Sequence, residues 1–138
     1  MYQAYILSVV FISLSILHFY WASGGKWWLA NVLPKKEDNT SPIRPGAGAT
    51  IVVGLVLLGF GSFYIWFAIA SHAETTSLTQ IISWIIPSIF LLRAIGDFKY
   101  VGFFKRIRHS SFSKYDNRLY SPLCLTLAML GVSIASQL

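Results

Sequence analysis

The chain has 138 residues, of which 55% are hydrophobic and only 12% are charged, and its mean hydropathy is +0.60. A soluble domain averages about 25% charged residues, so too few charges remain here to cover five Trp, seven Tyr and ten Phe in water. The composition therefore excludes an ordinary soluble domain and predicts one membrane-embedded domain.

Four apolar segments are long enough to cross about 30 Å of hydrocarbon as α-helices. They cover residues 4–22, 47–70, 78–95 and 122–138. Pro87 predicts a kink in the third segment, and Ser121 is expected as an N-cap before Pro122 in the fourth. We expect an all-α, integral membrane four-helix bundle in which a single transmembrane domain fills residues 1–138.

The basic residues indicate the orientation of this bundle. All eleven lie in or directly beside the two long loops, 23–46 and 96–121: Lys26, Lys35, Lys36, Arg44, Arg93, Lys99, Lys105, Arg106, Arg108, Lys114 and Arg118. The N-terminus, the short loop 71–77 and the C-terminus carry none. Because Lys and Arg close to membrane spans are retained in the cytoplasm, we expect both long loops inside and both termini outside.

Small residues occupy one side of the second span. Thr50, Gly54 and Gly61 fall near one face, with Gly59 close by. Small residues let membrane helices approach closely, so the pattern favours packing within the chain. A homodimer through this glycine face is the alternative.

The side chains best suited to chemistry gather where the spans meet the long loops. Ionisable groups at membrane depth are costly, and they usually serve a function. Arg93 and Asp97 share one helix face at an i, i+4 spacing, so Asp97 is the expected partner of Arg93 and Asp116 is the second candidate. We predict a ligand-binding set at this level, composed of His18, Trp21, Arg93, Asp97, Asp116 and Tyr120.

Each of these residues also has a simpler interpretation. Arg93 and Asp97 form an interfacial ion pair in that case, and His18 is an imidazole satisfied at headgroup level. Trp21, Trp27 and Trp28 then belong to the aromatic belt of the membrane interface. Cys124, the only cysteine, is expected to pack between helices, and it excludes an intramolecular disulfide.

The second long loop combines basic and aromatic residues. Lipid headgroups are the nearest polyanion to a loop beside a membrane span, so we expect lipids and not nucleic acid as its partner. The predicted headgroup contacts are Lys99, Lys105, Arg106 and Arg108. The three histidines lie on separate segments, so no metal site is expected, and no sequence motif calls for a cofactor.

Three motifs carry a resemblance to a known family. They are HFYWASGG at 18–25, RAIGDFKYVGFFK at 93–105 and YSPLC at 120–124. In these motifs the chain resembles an uncharacterised family of small bacterial four-span membrane proteins, a domain of unknown function. The resemblance implies a multi-pass protein of the bacterial inner (plasma) membrane and supplies no activity.

Three functions remain open at this point. The first is binding or transport of a small anionic or amphiphilic ligand at the cytoplasmic interface. The second is a small membrane enzyme in which His18 acts on a lipid-soluble substrate, oriented by Asp97 or Asp116. The third is an accessory or structural subunit.

Overall fold

The computed structural model describes residues 2–29, 46–70, 75–96 and 116–138. In these parts of the chain the backbone forms four α-helices and one short π-helical turn, with no strand. The elements are α1 (Tyr2–Ala22), α2 (Ala47–Ile69), α3 (Ser77–Ile95), the π turn (Asp116–Tyr120) and α4 (Ser121–Ala135). The prediction of an all-α four-helix protein is confirmed.

All four helices are long and apolar enough to cross a membrane, provided that α4 is counted together with the turn before it. The fourth candidate span then runs from Arg118 to Ala135, which is 18 residues. The fourth segment predicted from the sequence, 122–138, begins and ends later than this candidate span. The N-cap prediction for Ser121 was wrong, since Tyr120 before it has helical angles (φ −71°, ψ −47°) and Ser121 is buried inside the helix. The π turn extends the helix on the N-terminal side of Ser121, so Ser121 is not at a helix end and does not act as a cap.

The helices pack as two antiparallel pairs. α1 packs mainly against α2, α3 packs mainly against α4, and α1 also contacts α4. At one end of the bundle the Ser133 hydroxyl donates to Gln3 Oε1 (3.4 Å), and Gln80 Nε2 donates to the Leu138 carbonyl (3.2 Å). Both termini therefore lie at this end, called the terminal end. The opposite end, where α1 and α3 finish and α2 and α4 begin, is called the loop end.

The α1–α2 contact relies on glycine and serine. The Ser15 hydroxyl donates to the Gly54 carbonyl (2.7 Å) and the Ser8 hydroxyl donates to the Gly61 carbonyl (2.8 Å). A Cβ at Gly61 would lie 2.7 Å from Ile12 Cγ1, and one at Gly54 would lie 2.9 Å from the Phe19 ring. Gly54 and Gly61 thus pack against α1 of the same chain, while the homodimer through this face stays a prediction.

Aromatic rings fill the middle of the bundle. Phe11 of α1 lies 5.8 Å from Tyr64 and 5.9 Å from Phe60, both on α2, and 5.0 Å from Phe90 on α3 (ring centroids). Such pairs contribute about 0.5–1.5 kcal/mol each beyond their buried area. Phe11 therefore connects three helices at one level.

The outward faces of the helices remain apolar. Side chains that would be polar on a soluble bundle are large hydrophobics exposed by 45–66% in this one: Val52, Val53, Leu55, Ile81, Ile85 and Leu92. A helix that is hydrophobic all round is one that is buried or spans a membrane. The exposed surface is therefore suited to contact with lipid tails.

Candidate functional site

The site starts with the way α1 ends. The Gly25 amide donates to the Tyr20 carbonyl (3.0 Å), and the Gly24 amide donates to the Trp21 carbonyl (3.1 Å). This pair of bonds is a Schellman motif, which needs a left-handed residue just past the helix, and Gly24 supplies it with φ +102°. A Cβ at Gly25 would overlap the Tyr20 ring. The two glycines turn the chain back against the helix that it has just left.

The turn brings three tryptophans together. Trp21 Nε1 donates to the Trp27 carbonyl (2.9 Å), and the Trp27 and Trp28 rings lie 5.9 Å apart. Trp28 has φ +60°, a left-handed conformation that is strained for a bulky side chain. Backbone strain of this kind persists only where the surroundings impose it. Contacts with other residues must therefore hold the Trp28 backbone in this conformation.

That restraint includes a hydrogen bond to a distant part of the chain. Trp28 Nε1 donates to the Tyr120 hydroxyl at 2.9 Å, across 92 positions in sequence. Both side chains are half-buried, and Tyr120 ends the π turn that leads into α4. π-helical turns are rare and are frequently found at functional sites. The bond joins the segment after α1 to the start of α4.

His18 lies one turn before the end of α1, and its ring is held by its own helix. Its Nδ1 lies 2.7 Å from the Leu14 carbonyl. A carbonyl can only accept, so Nδ1 carries the hydrogen and Nε2 is left for another partner. The Trp21 ring meets the His18 ring edge to face at 5.3 Å.

The position of His18 along α1 directs it towards the rest of the bundle. It follows Phe11 by seven residues, two helical turns, and therefore lies on nearly the same face. Phe11 uses that face to reach α2 and α3. The half-buried His18 consequently lies on the inward side of α1, close to the loop end.

Arg93 is in the last turn of α3, at the same loop end, and is half-buried between the buried Phe90 and Ala94. A cation in the last turn interacts favourably with the helix dipole. Arg93 also makes at least one hydrogen bond, ring contact or electrostatic contact with another part of the protein. The structure therefore brings Arg93, His18, Trp21 and Tyr120 to one end of the bundle.

The other predicted site residues lie outside the described residues. These are Asp97 and the four predicted headgroup contacts, Lys99, Lys105, Arg106 and Arg108. Asp116 is described only through its backbone, which begins the π turn. The pairing of Arg93 with Asp97 or Asp116 stays a prediction.

Trp28 is the member of this cluster that was not among the predicted site residues, because Trp27 and Trp28 fit an aromatic belt equally well. The signal was the Gly24-Gly25 pair, since a helix stopped by a left-handed glycine turns back and returns the next aromatic residues to its own end. Reading the glycines together with the tryptophans would have indicated a folded-back segment.

The arrangement offers two kinds of contact. Arg93 supplies a positive charge and His18 Nε2 a hydrogen-bonding atom, while Trp21, Trp28 and Tyr120 supply aromatic surface. Among the residues that the structure describes, no group of three His, Cys, Asp or Glu is placed to hold a metal ion. A positive charge beside aromatic surface is a combination suited to an anion that carries an apolar part.

Comparison with known proteins gives a family and no activity. No curated protein and no solved structure matches the chain. Residues 11–131 match a family described as "Protein of unknown function (DUF3995)". This match covers His18, Arg93 and Tyr120, and it confirms the resemblance to a family of unknown function. The chain belongs to the DUF3995 family.

Proposed function

We propose that the protein is a multi-pass protein of the bacterial inner membrane that binds or transports a small anionic or amphiphilic ligand. The ligand site is the loop end of the bundle, and this end faces the cytoplasm. The observation that supports the proposal most is the Trp28–Tyr120 hydrogen bond, because it joins aromatic side chains from two distant segments at the loop end, where His18 and Arg93 also lie.

The orientation follows from the distribution of charge. In the parts of the chain that the structure describes, Lys26, Arg93 and Arg118 all belong to the loop end, and the terminal end has no Lys or Arg. Basic residues beside membrane spans are retained in the cytoplasm. The charge pattern therefore supports a cytoplasmic loop end and external termini.

In this proposal Arg93 holds the negative group of the ligand. His18 Nε2 adds a hydrogen bond, and Trp21, Trp28 and Tyr120 cover the apolar part. A guanidinium is suited to carboxylate and phosphate groups because it can donate two parallel hydrogen bonds. Asp97 and Asp116 complete the set by orienting the Arg93 and His18 side chains.

Native mass spectrometry of the protein purified in a mild detergent tests this function. We expect a small molecule or lipid to remain bound to the native chain, and Arg93→Ala to reduce its occupancy at least tenfold, since one charge-assisted contact is worth about 1.5–3 kcal/mol. Arg118→Ala is the matched control. It removes the same charge at the same end, from an exposed residue, and should leave the occupancy unchanged. Equal losses in both variants would indicate a general electrostatic effect and would refute the assigned site.

Catalysis is the second candidate, and one contact favours it. The Phe11 ring of α1 and the Phe90 ring of α3 lie 5.0 Å apart in mid-bundle, which links the helix that carries His18 to α3, although the main partners of α1 are α2 and α4. With Nδ1 bonded to Leu14, Nε2 is the atom that would move a proton as general acid or base. If the bound molecule is converted to a product over time by the native protein and not by His18→Gln, the enzyme replaces the binding protein as the better account.

Among the proposed partners, membrane lipids come first and a second protein chain comes after them. Membrane lipids are the expected surroundings, and the second long loop contacts anionic headgroups in this proposal. A homodimer or an accessory role would use the side of α2 that does not face α1. A Cβ added at Gly59 would meet no atom within 4 Å, whereas Gly54 and Gly61 face α1. Native mass spectra report this directly, because a dimer or a copurified subunit doubles or shifts the mass of the complex.

A further inference from the structure

Two hydroxyl groups are buried without a hydrogen-bond partner in the middle of the bundle. They are Tyr64 Oη on α2 and Ser83 Oγ on α3. Tyr64 is 1% exposed and Ser83 is 0% exposed. A polar group buried without a partner is destabilising, and at membrane depth no lipid group can satisfy it. These two atoms therefore require a partner.

A third polar atom lies beside them. Pro87 is inside α3, four residues after Ser83. Proline has no amide hydrogen, so the Ser83 carbonyl loses the donor that a continuous helix would give it. Ser83 thus presents, on the same turn, a hydroxyl and a carbonyl that lacks the amide donor of residue 87.

Gly131 of α4 brings Tyr64 to this turn. A Cβ at Gly131 would lie 3.1 Å from the Tyr64 hydroxyl and 2.9 Å from Pro87 Cβ. The Tyr64 hydroxyl consequently reaches the contact between α3 and α4 next to Pro87, one turn from Ser83. Glycine is required at this position, because a methyl group would overlap Pro87 and crowd the Tyr64 hydroxyl.

We propose that an internal water molecule binds here and bridges Tyr64 to Ser83. Water is small and neutral, and it both donates and accepts, which matches two hydroxyls and a carbonyl. The buried neighbours Phe11, Ile86 and Phe90 are apolar, so they offer no counter-charge for an ion. The water satisfies the break in α3 at Pro87 and ties α2 to the α3–α4 pair.

Solid-state NMR of the protein in lipid bilayers tests the site directly. Magnetisation transfer from water to ¹³C-labelled tyrosine is measured, and the Tyr64 signal is identified by its loss in Tyr64→Phe. We expect transfer to Tyr64 in the native protein, and at least a twofold slower transfer in Ser83→Ala, which removes one anchor of the water. Tyr5, which is 44% exposed at the terminal end, is the internal control and should be unaffected by Ser83→Ala. No transfer to Tyr64 in the native protein would overturn the proposal.

A double-mutant cycle gives a second, independent answer. The unfolding equilibrium constant is measured for the native protein, Tyr64→Phe, Ser83→Ala and the double variant. A bridging water couples the two sites, so the single variants are destabilised and their combined effect departs from the product of the two by at least threefold. If the hydroxyls are instead unsatisfied, each substitution removes a buried unpaired group, both single variants gain stability and their effects multiply. That result would contradict the bridged site.

Discussion

Trp28 shows how one backbone angle determines which side chains meet at the loop end. Its left-handed conformation, φ +60°, follows directly on the turn made by Gly24 and Gly25. From this position the indole reaches Tyr120, 92 positions away in sequence. No periodicity in the sequence encodes that angle, so the sequence predicted Tyr120 for the site but assigned Trp28 to the membrane interface.

The first prediction concerns this bond. Tyr120→Phe removes the acceptor of Trp28 Nε1 and leaves a half-buried N–H without its partner, which costs about 1–3 kcal/mol. We expect a lower stability and a lower occupancy of the retained ligand, measured by denaturant titration and by native mass spectrometry. Tyr5→Phe, at the exposed terminal end, removes the same hydroxyl and should change neither. If Tyr120→Phe changed neither the stability nor the ligand occupancy, the Trp28–Tyr120 bond would not be what holds the site together.

His18 illustrates what the sequence could and could not supply at this scale. Its place in the last turns of α1 was evident from hydropathy, as was its closeness to the interface. The direction of its ring was not, because it depends on the bond from Nδ1 to the Leu14 carbonyl. The same holds for Arg93, whose position in the last turn of α3 was predicted, whereas its partners depend on the packing of other segments.

At the scale of the helices, most of the fold was predictable because each span is a long apolar segment. The start of α4 was the exception. Ser121-Pro122 has the composition of a helix start, yet the chain is already helical at Tyr120 because the π turn precedes it. Side chains at a π turn are rotated relative to an α-helix, and such a turn has no sequence signature comparable to a Gly or Pro boundary.

The second prediction tests the α1–α2 contact with two glycines from one helix. Gly61→Ala places a Cβ 2.7 Å from Ile12 Cγ1 and 3.3 Å from the Ile12 amide nitrogen, so α1 must shift. We expect a destabilisation of about 1–3 kcal/mol, as for other overpacked cores. The measurement is the free energy of unfolding in mixed detergent.

Gly59→Ala is the control for that experiment. Its Cβ would meet nothing within 4 Å, and alanine is the better helix former by about 0.8–1 kcal/mol in water. We expect this variant to be as stable as the native protein or more so. If Gly59→Ala were the destabilised variant and Gly61→Ala the neutral one, Gly59 would be the packed position, and a contact between chains would replace the α1–α2 contact as the role of this helix.

For the whole molecule, two patterns were readable from the sequence for simple physical reasons. Apolar length set the number of spans, because a helix needs about 20 apolar residues to cross the hydrocarbon. The charge distribution set the expected polarity, because all eleven Lys and Arg belong to one side of a four-span arrangement. The structure adds that both termini lie at one end, through the Gln3–Ser133 and Gln80–Leu138 hydrogen bonds.

The location of the site depends on that polarity. The loop end, opposite the termini, carries His18, Arg93, Trp28 and Tyr120. These residues and the termini therefore face opposite sides of the membrane. The central claim is that this end is cytoplasmic. It determines from which side of the membrane the proposed ligand would reach the site.

Fusion of alkaline phosphatase to the C-terminus after Leu138 tests this claim most directly, because the enzyme is active only where its disulfides can form, outside the cytoplasm. We predict an active fusion at Leu138, and an inactive one when the same enzyme follows Lys36 in the first long loop. An inactive fusion at Leu138 together with an active one at Lys36 would place the loop end outside the cell and contradict the account.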